Sequence, residues 1–346
     1  MEHICHLGEQ VLELLQLVRA RCHALGTRVL AGECEHNAVM GSGAGGGLER
    51  GTLEVAGVRR GYWLARGPAT PGTLGAPGPL LIMLHGSGTT GRHVATTFTG
   101  LADRGPAAGV TVVFPNGWQG VWHIARAPAG EPALDDAAFL AALAGRLAGG
   151  PLFLAGLSNG AGFAEHVARH GLLRLDGLFL VAGTLREFSR QAAPVPRQRL
   201  AVTIMAGTAD PMARYEGGPM RAPGVAGWTL RRRAARHSDP PSERRVVATE
   251  TVAQDWAAGN GIAGGPAVER LPQVPGDPPV TRLSWSAPGC PPVVVYRIEG
   301  GGHGWPGGPQ YLPVRVVGPI PRHLDATGIL LDMVTAERDH PRSGDG

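Results

Sequence analysis

PLFLAGLSNGAGFAEHV, residues 151–167, sets an apolar run against a serine held between two glycines, after which the sequence returns to helical spacing. Residues 152–155 have the character of a buried strand, and residues 159–170 can form a helix. The change of direction between them must then be tight. Gly156 and Gly160 remove side chains that would collide across such a turn, which lets Ser158 take a strained backbone conformation with its hydroxyl exposed. GLSNG fits the pattern G-x-S-x-G, which a chain with 54 glycines can meet by chance, so its weight comes from the strand, turn and helix around it. The alternative is a glycine-rich turn whose serine merely caps the helix.

Working outward, the apolar runs LLIMLHG (80–86), VTVVFPNG (110–117), LFLVAG (178–183), AVTIMAG (201–207) and VVVYRIEG (293–300) alternate with helix-like segments. Continuous apolar strands separated by helices predict an α/β fold, a mostly parallel, doubly wound sheet with helices on both faces. TLEVAG and RRGYWLARG, earlier in the chain, read as a short antiparallel pair, and RGPATPGTLGAPGP as a surface loop. In such sheets the ligand crevice lies at the carboxyl ends of the strands.

A serine hydroxyl is a poor nucleophile near neutral pH unless a base takes its proton, and the base needs a carboxylate to fix its tautomer. With the serine at a turn of this kind, the partners follow in the order acid, then histidine. Asp210 stands three residues after the strand-ending Gly207 in AVTIMAGTADP, and His303 lies on the glycine-flanked loop EGGGHGWPGG. Both are at strand ends. His237, His323 and His340, and Asp239 and Asp255, are placed less well. An oxyanion would need two backbone donors, expected at Asn159 after the serine and at Ser87 in the LHGSG loop, which His85 and Gly86 would shape.

The chain has 346 residues, is 43% hydrophobic, and reads as a soluble globular protein with a sizeable core. No run approaches the roughly 18 apolar residues of a membrane-spanning helix. The first residues carry acids where a secretory leader would be basic, so the expected location is cytoplasmic. All 32 basic residues are arginine and the net charge is only +4, which reflects composition more than a nucleic-acid partner; none is expected. Cys5, Cys22, Cys34 and Cys290 form neither a disulfide framework nor a zinc pattern, so neither metal nor cofactor is expected.

GSGAGGG (41–47) separates an N-terminal extension, 1–47, from a catalytic domain over 48–338 with a tail, 339–346. Val11, Leu12, Leu14, Leu15 and Val18 in the extension fit an amphipathic helix. Within the domain, 211–246 is an arginine-rich insertion long enough to cover the site, and Arg231, Arg232, Arg233, Arg236, Arg244 and Arg245 could attract an acidic substrate or stand as a solvated loop.

LHGSG, VVFPNG with Trp122 beyond it, LDDAAFL, GLSNGAGFAEHVA, GTADPMARYEGG, ETVAQDWAAGNG, EGGGHGWPGG and LDATGILLDMV, in that order across 52–333, resemble the poly(3-hydroxybutyrate) depolymerase and feruloyl esterase group of α/β-hydrolases. The resemblance implies a Ser158–Asp210–His303 triad and an ester substrate, either a small molecule or a polyester chain. It also implies Trp122 and Trp305 near that substrate, with core packing as the alternative. Asp135 and Asp136 match as helix-start and loop-fixing residues. Two departures concern secretion: the leader common in the group is not readable, and Ile262 stands where many relatives have a cysteine, which leaves Cys290 without that disulfide partner. A serine hydrolase of peptides or thioesters, or a binding protein on a hydrolase scaffold, are the other readings. Oligomeric state is not legible.

Overall fold

The computed structural model describes residues 47–68, 78–124, 135–183, 185–220 and 245–336. The cysteines and apolar face of the N-terminal extension, the C-terminal tail, and most of the arginine-rich insertion with His237 and Asp239 lie outside the described residues.

The order of elements is β1 (Glu49–Val55), β2 (Val58–Ala65), β3 (Leu80–Leu84), a single turn α1 (Gly91–His93) running into a π-helical turn at Val94–Phe98, α2 (Leu101–Ala107), β4 (Thr111–Pro115), α3 (Asp136–Leu147), β5 (Leu152–Leu157), α4 (Asn159–Arg169), β6 (Gly177–Val181), α5 (Glu187–Ala192) and β7 (Ala201–Gly207). There follow β8 (Gly218–Pro219), β9 (Arg245–Val246), α6 (Thr249–Gly259), β10 (Ala267–Arg270), β11 (Val280–Trp285), β12 (Val293–Ile298), α7 (Val314–Val317) and α8 (Ala326–Ala336).

Ten of the strands form one sheet in the order β1-β2-β4-β3-β5-β6-β7-β12-β11-β10, and β8 pairs with β9 apart from it. From β4 to β12 neighbours run parallel, while β1, β2, β10 and β11 join antiparallel at the two sides. This is the α/β-hydrolase fold. Because β3 lies between β4 and β5, the chain leaves it to one side and later returns on the other, which opens a crevice at the carboxyl ends of β3 and β5.

The two-residue period of the strands divides the core between two faces. Leu80, Ile82 and Leu84 of β3 join Leu152, Leu154, Leu178 and Leu180 under Phe139 and Leu143 of α3, Phe163 and Val167 of α4, and Trp256 of α6. Leu81 and Met83 point the other way, with Phe114, Phe153, Phe179 and Met205, under the residues after β3 and Leu330 and Val334 of α8. Every residue of β3, β5 and β6 is buried, as strands covered on both faces require.

Two strands of the sheet, β10 and β11, are absent from the sequence-based strand set above. The four residues of β10 are all exposed, and β11 alternates buried and half-buried residues in TRLSW, so neither presents a continuous apolar run. Among the described residues no helix is long and apolar enough to cross a membrane.

Candidate active site

Ser158 sits at the turn between β5 and α4 with φ 56° and ψ −116°, a conformation that costs a non-glycine residue about 1–3 kcal/mol. It persists because its neighbours over-determine it. The Ser158 N–H donates to the Val181 carbonyl of β6 at 2.8 Å, and the Ser158 carbonyl accepts the first helical bond of α4, from Gly162 N–H at 3.0 Å. A Cβ on Gly160 would lie 2.6 Å from the carbonyl oxygen of His85 and 2.8 Å from that of Leu84, so its glycine serves the approach of α4 to β3. A Cβ on Gly156 would run into the Gly160 backbone, which is the collision expected across the turn. Gly183, after β6, is a third such position, since a Cβ there would strike the Ser158 carbonyl. The sequence signal for it was a glycine closing an apolar strand, as at Gly86 and Gly207.

The Ser158 side chain makes no capping bond to its helix. Its Oγ instead lies 2.9 Å from His303 Nε2, and His303 Nδ1 lies 2.7 Å from Asp210 Oδ2. An ionised carboxylate only accepts, so Nδ1 carries the proton and Nε2 is free to accept from the serine hydroxyl. Asp210 is held by its other oxygen, which accepts from Met212 N–H at 2.7 Å and Ala213 N–H at 2.8 Å. His303 and Asp210 are only 5% and 6% exposed. They meet because β7 and β12 are parallel neighbours, and the loops leaving them interlock. Ala209 N–H donates to Gly301 O at 3.0 Å, and Gly300 N–H to Thr208 Oγ1 at 2.8 Å. His303 N–H is tied in turn to Val317 O, at the end of α7.

Tyr311, which no sequence pattern singled out, stands near this pair; burial first and the Asp210 charge second push its phenol up to about 12. Of the other titratable residues weighed above, the two that lie among the described residues, Asp255 and His323, are engaged elsewhere. Asp255 pairs with Arg190 at 2.7 Å and Arg169 at 3.3 Å, and His323 with Asp277 at 2.9 Å.

The loop after β3 is ordered by His85. Its Nε2 accepts from Gly117 N–H at 2.9 Å, so its proton is on Nδ1, which donates to the Gly86 carbonyl at 2.8 Å. Burial lowers its pKa to about 4, so the ring is neutral. Thr89 Oγ1 also donates to the Gly86 carbonyl, at 3.0 Å. In a trans peptide the N–H points opposite to the C=O, so fixing the Gly86 oxygen turns the Ser87 N–H the other way. The Gly162 bond to Ser158 O does the same for the Asn159 N–H. Neither of these two N–H groups has an acceptor among the described residues.

Trp122 and Trp305, expected near the substrate, are 3% and 1% exposed. The Trp305 indole donates to Thr327 Oγ1 at 2.9 Å and packs against Phe179, which joins α8 to the sheet. Trp122 stacks on Phe163 with centroids 5.6 Å apart and donates to the His85 carbonyl at 3.0 Å. Both are core residues, the alternative reading. Asp135 caps α3 through Ala138 N–H at 2.8 Å, and buried Asp136 binds Arg60 at 2.5 Å and His123 N–H at 2.9 Å. Cys290 is a free thiol beside Gly261, one residue before Ile262. Among the described residues no group of three or more His, Cys, Asp or Glu could hold a metal ion.

The chain matches no protein-family model. NocK of Nocardia uniformis subsp. tsuyamanensis, named as an inferred esterase, is 27% identical over 292 residues, which are 81% of this chain and 80% of NocK. Among solved structures, the acetyl xylan esterase from Aspergillus awamori is similar with a TM-score of 0.47 at 13% identity, over 74% of this chain and 94% of that one. An S-formylglutathione hydrolase from Agrobacterium tumefaciens is similar with a TM-score of 0.38 at 15% identity, over 56% of this chain and 84% of that one.

Proposed function

We propose that this protein is a serine carboxylic-ester hydrolase that works through an acyl-enzyme. The observation that carries the reading is the continuous line from Ser158 Oγ through His303 to Asp210, at 2.9 and 2.7 Å, beside the N–H groups of Ser87 and Asn159, which have no acceptor among the described residues. The 27% identity with NocK supports it.

In this mechanism Ser158 Oγ attacks the ester carbonyl carbon while His303 Nε2 takes its proton. Asp210 stabilises the imidazolium through the Nδ1 bond. The N–H groups of Ser87 and Asn159 accept the negative charge that develops on the carbonyl oxygen, helped by the positive end of α4. Collapse of the tetrahedral intermediate expels the alcohol, which takes the proton from His303, and leaves the acyl group on Ser158. Water then repeats the sequence, with His303 as its base, and the carboxylic acid departs. Every step uses this chain's own groups.

For the substrate we propose hydroxyalkanoate esters, as polyester or oligomer, or feruloyl-type esters. The support is the run of motifs in the order of the poly(3-hydroxybutyrate) depolymerase and feruloyl esterase group. A fluorophosphonate probe tests the chemistry: it should label native protein at Ser158, and Ser158→Ala should abolish both labelling and p-nitrophenyl ester turnover. Wild-type labelling or turnover in that variant would overturn the reading. Hydroxybutyrate oligomers and feruloyl esters set against a thioester test the substrate class, which fails if the thioester is turned over fastest.

A further inference from the structure

Two donors can hold one oxyanion only if their separation is fixed, yet Ser87 and Asn159 belong to different loops, after β3 and after β5. The segment that touches both is the loop after β4, residues 117–122. Its Gly117 N–H reaches His85 Nε2, and its Gly120 carbonyl accepts from Gly88 N–H at 2.8 Å. At its end, Trp122 bonds in both directions. The indole N–H donates to the His85 carbonyl at 3.0 Å, on the β3 side. On the β5 side its backbone N–H donates to Asn159 Oδ1 at 2.7 Å, and its carbonyl accepts from Asn159 Nδ2 at 3.1 Å. The ring is 3% exposed and lies parallel to Phe163 with 7° between the planes. The loop is anchored behind by His123 N–H to Asp136 Oδ2 at 2.9 Å.

We infer that Trp122 is a positioning residue that sets the spacing of the two oxyanion donors, one residue joining, through its indole, the backbone ahead of Ser87 and, through its own backbone, the side chain of Asn159. The inference rests on the ester-hydrolase reading. Trp122 touches no reacting atom in it; its effect passes through His85 and Asn159. A planar ester carbonyl makes modest demands on the two N–H groups. The tetrahedral oxyanion needs both within about 2.7–3.1 Å, so loosening one loop should weaken the transition state more than the bound substrate. The asparagine at 159 thereby acquires a second task, since its side chain grips the brace while its N–H faces the oxyanion.

Trp122→Phe keeps an aromatic ring on Phe163 and deletes the bond to the His85 carbonyl. Asn159→Ala keeps the backbone N–H and deletes the grip on Trp122. On p-nitrophenyl acetate each should lower kcat about 10–100-fold with KM within about twofold, as displacements below an ångström do at a reacting centre. The affinity of a boronic acid, whose adduct with Ser158 places an oxygen between the donors, should fall by the same factor, while affinity for the carboxylic acid product should not change. The double variant should be little worse than the more damaged single one. Phe163→Leu removes the stacking and none of the bonds, and should keep kcat within about threefold.

The inference is overturned if Trp122→Phe keeps kcat within threefold, if the loss appears in KM, or if Phe163→Leu loses as much. Should Trp122→Phe fail to fold, Asn159→Ala decides by the same criteria. Failure of the underlying chemistry would look different, with Ser158→Ala still active, whereas failure of the brace leaves Ser158→Ala inert and Trp122→Phe fast.

Discussion

Asp210→Asn changes one atom of the proposed machinery, and the structure fixes what that atom must do. Asp210 Oδ1 accepts from the N–H groups of Met212 and Ala213 at 2.7 and 2.8 Å, while Oδ2 accepts from His303 Nδ1 at 2.7 Å. An asparagine has only one acceptor oxygen. Turned toward His303, that oxygen would leave its NH2 facing two backbone donors, with two hydrogen bonds lost and like dipoles opposed. The favoured orientation therefore keeps the oxygen on the two amides and points the NH2 at Nδ1. His303 must then carry its proton on Nε2, where it can no longer accept from Ser158.

The wrong tautomer and the lost carboxylate charge together should lower kcat by about 10³–10⁴-fold, or about 4–5.5 kcal/mol of barrier. The assay is kcat on a soluble ester, beside the rate of fluorophosphonate labelling, which should fall in parallel because both need the same base. His303→Ala should be as damaging, and the double variant little worse than either, since the members of a triad act as a unit. A kcat for Asp210→Asn within tenfold of wild type, or losses that multiply in the double variant, would refute the assignment of Asp210 as the group that orients His303.

Two further outcomes follow from packing and charge. Gly160→Ala would place a methyl 2.6 and 2.8 Å from backbone oxygens of His85 and Leu84, atoms that cannot rotate away, so urea unfolding should show a loss of about 2–4 kcal/mol. A loss below about 0.5 kcal/mol would mean that α4 is not pressed against β3. For Asp136, burial alone would push the carboxyl up, but the His123 side-chain bond, the Arg60 charge and the His123 N–H hold it below its ordinary value. A depressed folded pKa contributes stability above the unfolded value, near pH 4, that is lost as pH falls through the folded one. Thermal unfolding should steepen with acid below about pH 4 in the wild type and less so in Asp136→Asn, which at pH 7 should be about 3–5 kcal/mol less stable because Arg60 is left buried without its counter-charge. A loss under about 1 kcal/mol at pH 7 would refute that.

The central strands were legible because each is an apolar run closed by glycine or proline, and β3, β5, β6 and β7 begin and end close to where those runs do. The edge was not. β10 is a strand only because β11 offers it hydrogen bonds, and a row of exposed residues carries no periodic mark of that pairing. The surroundings of the tryptophans were not legible for a related reason. Trp122 and Trp305 neighbour site segments in sequence, but a side chain near a site in the chain can point into the core, and both do.

What the sequence determined by itself was local: which stretches must be buried strands, and that Ser158, with Gly156 and Gly160 beside it, stands at a turn too tight for larger neighbours. Hydrophobic period and steric room are properties of adjacent residues, so they are written there. Which acid and which histidine meet the serine was decided by the tertiary structure. Ser158 and His303 are 145 residues apart and His303 and Asp210 are 93 apart. They converge because β7 and β12 became neighbours, two and three strands along from β5. The same holds for the Ser87 N–H, whose direction comes from the bond His85 makes to the Gly86 carbonyl while its other nitrogen is held by Gly117 of a separate loop.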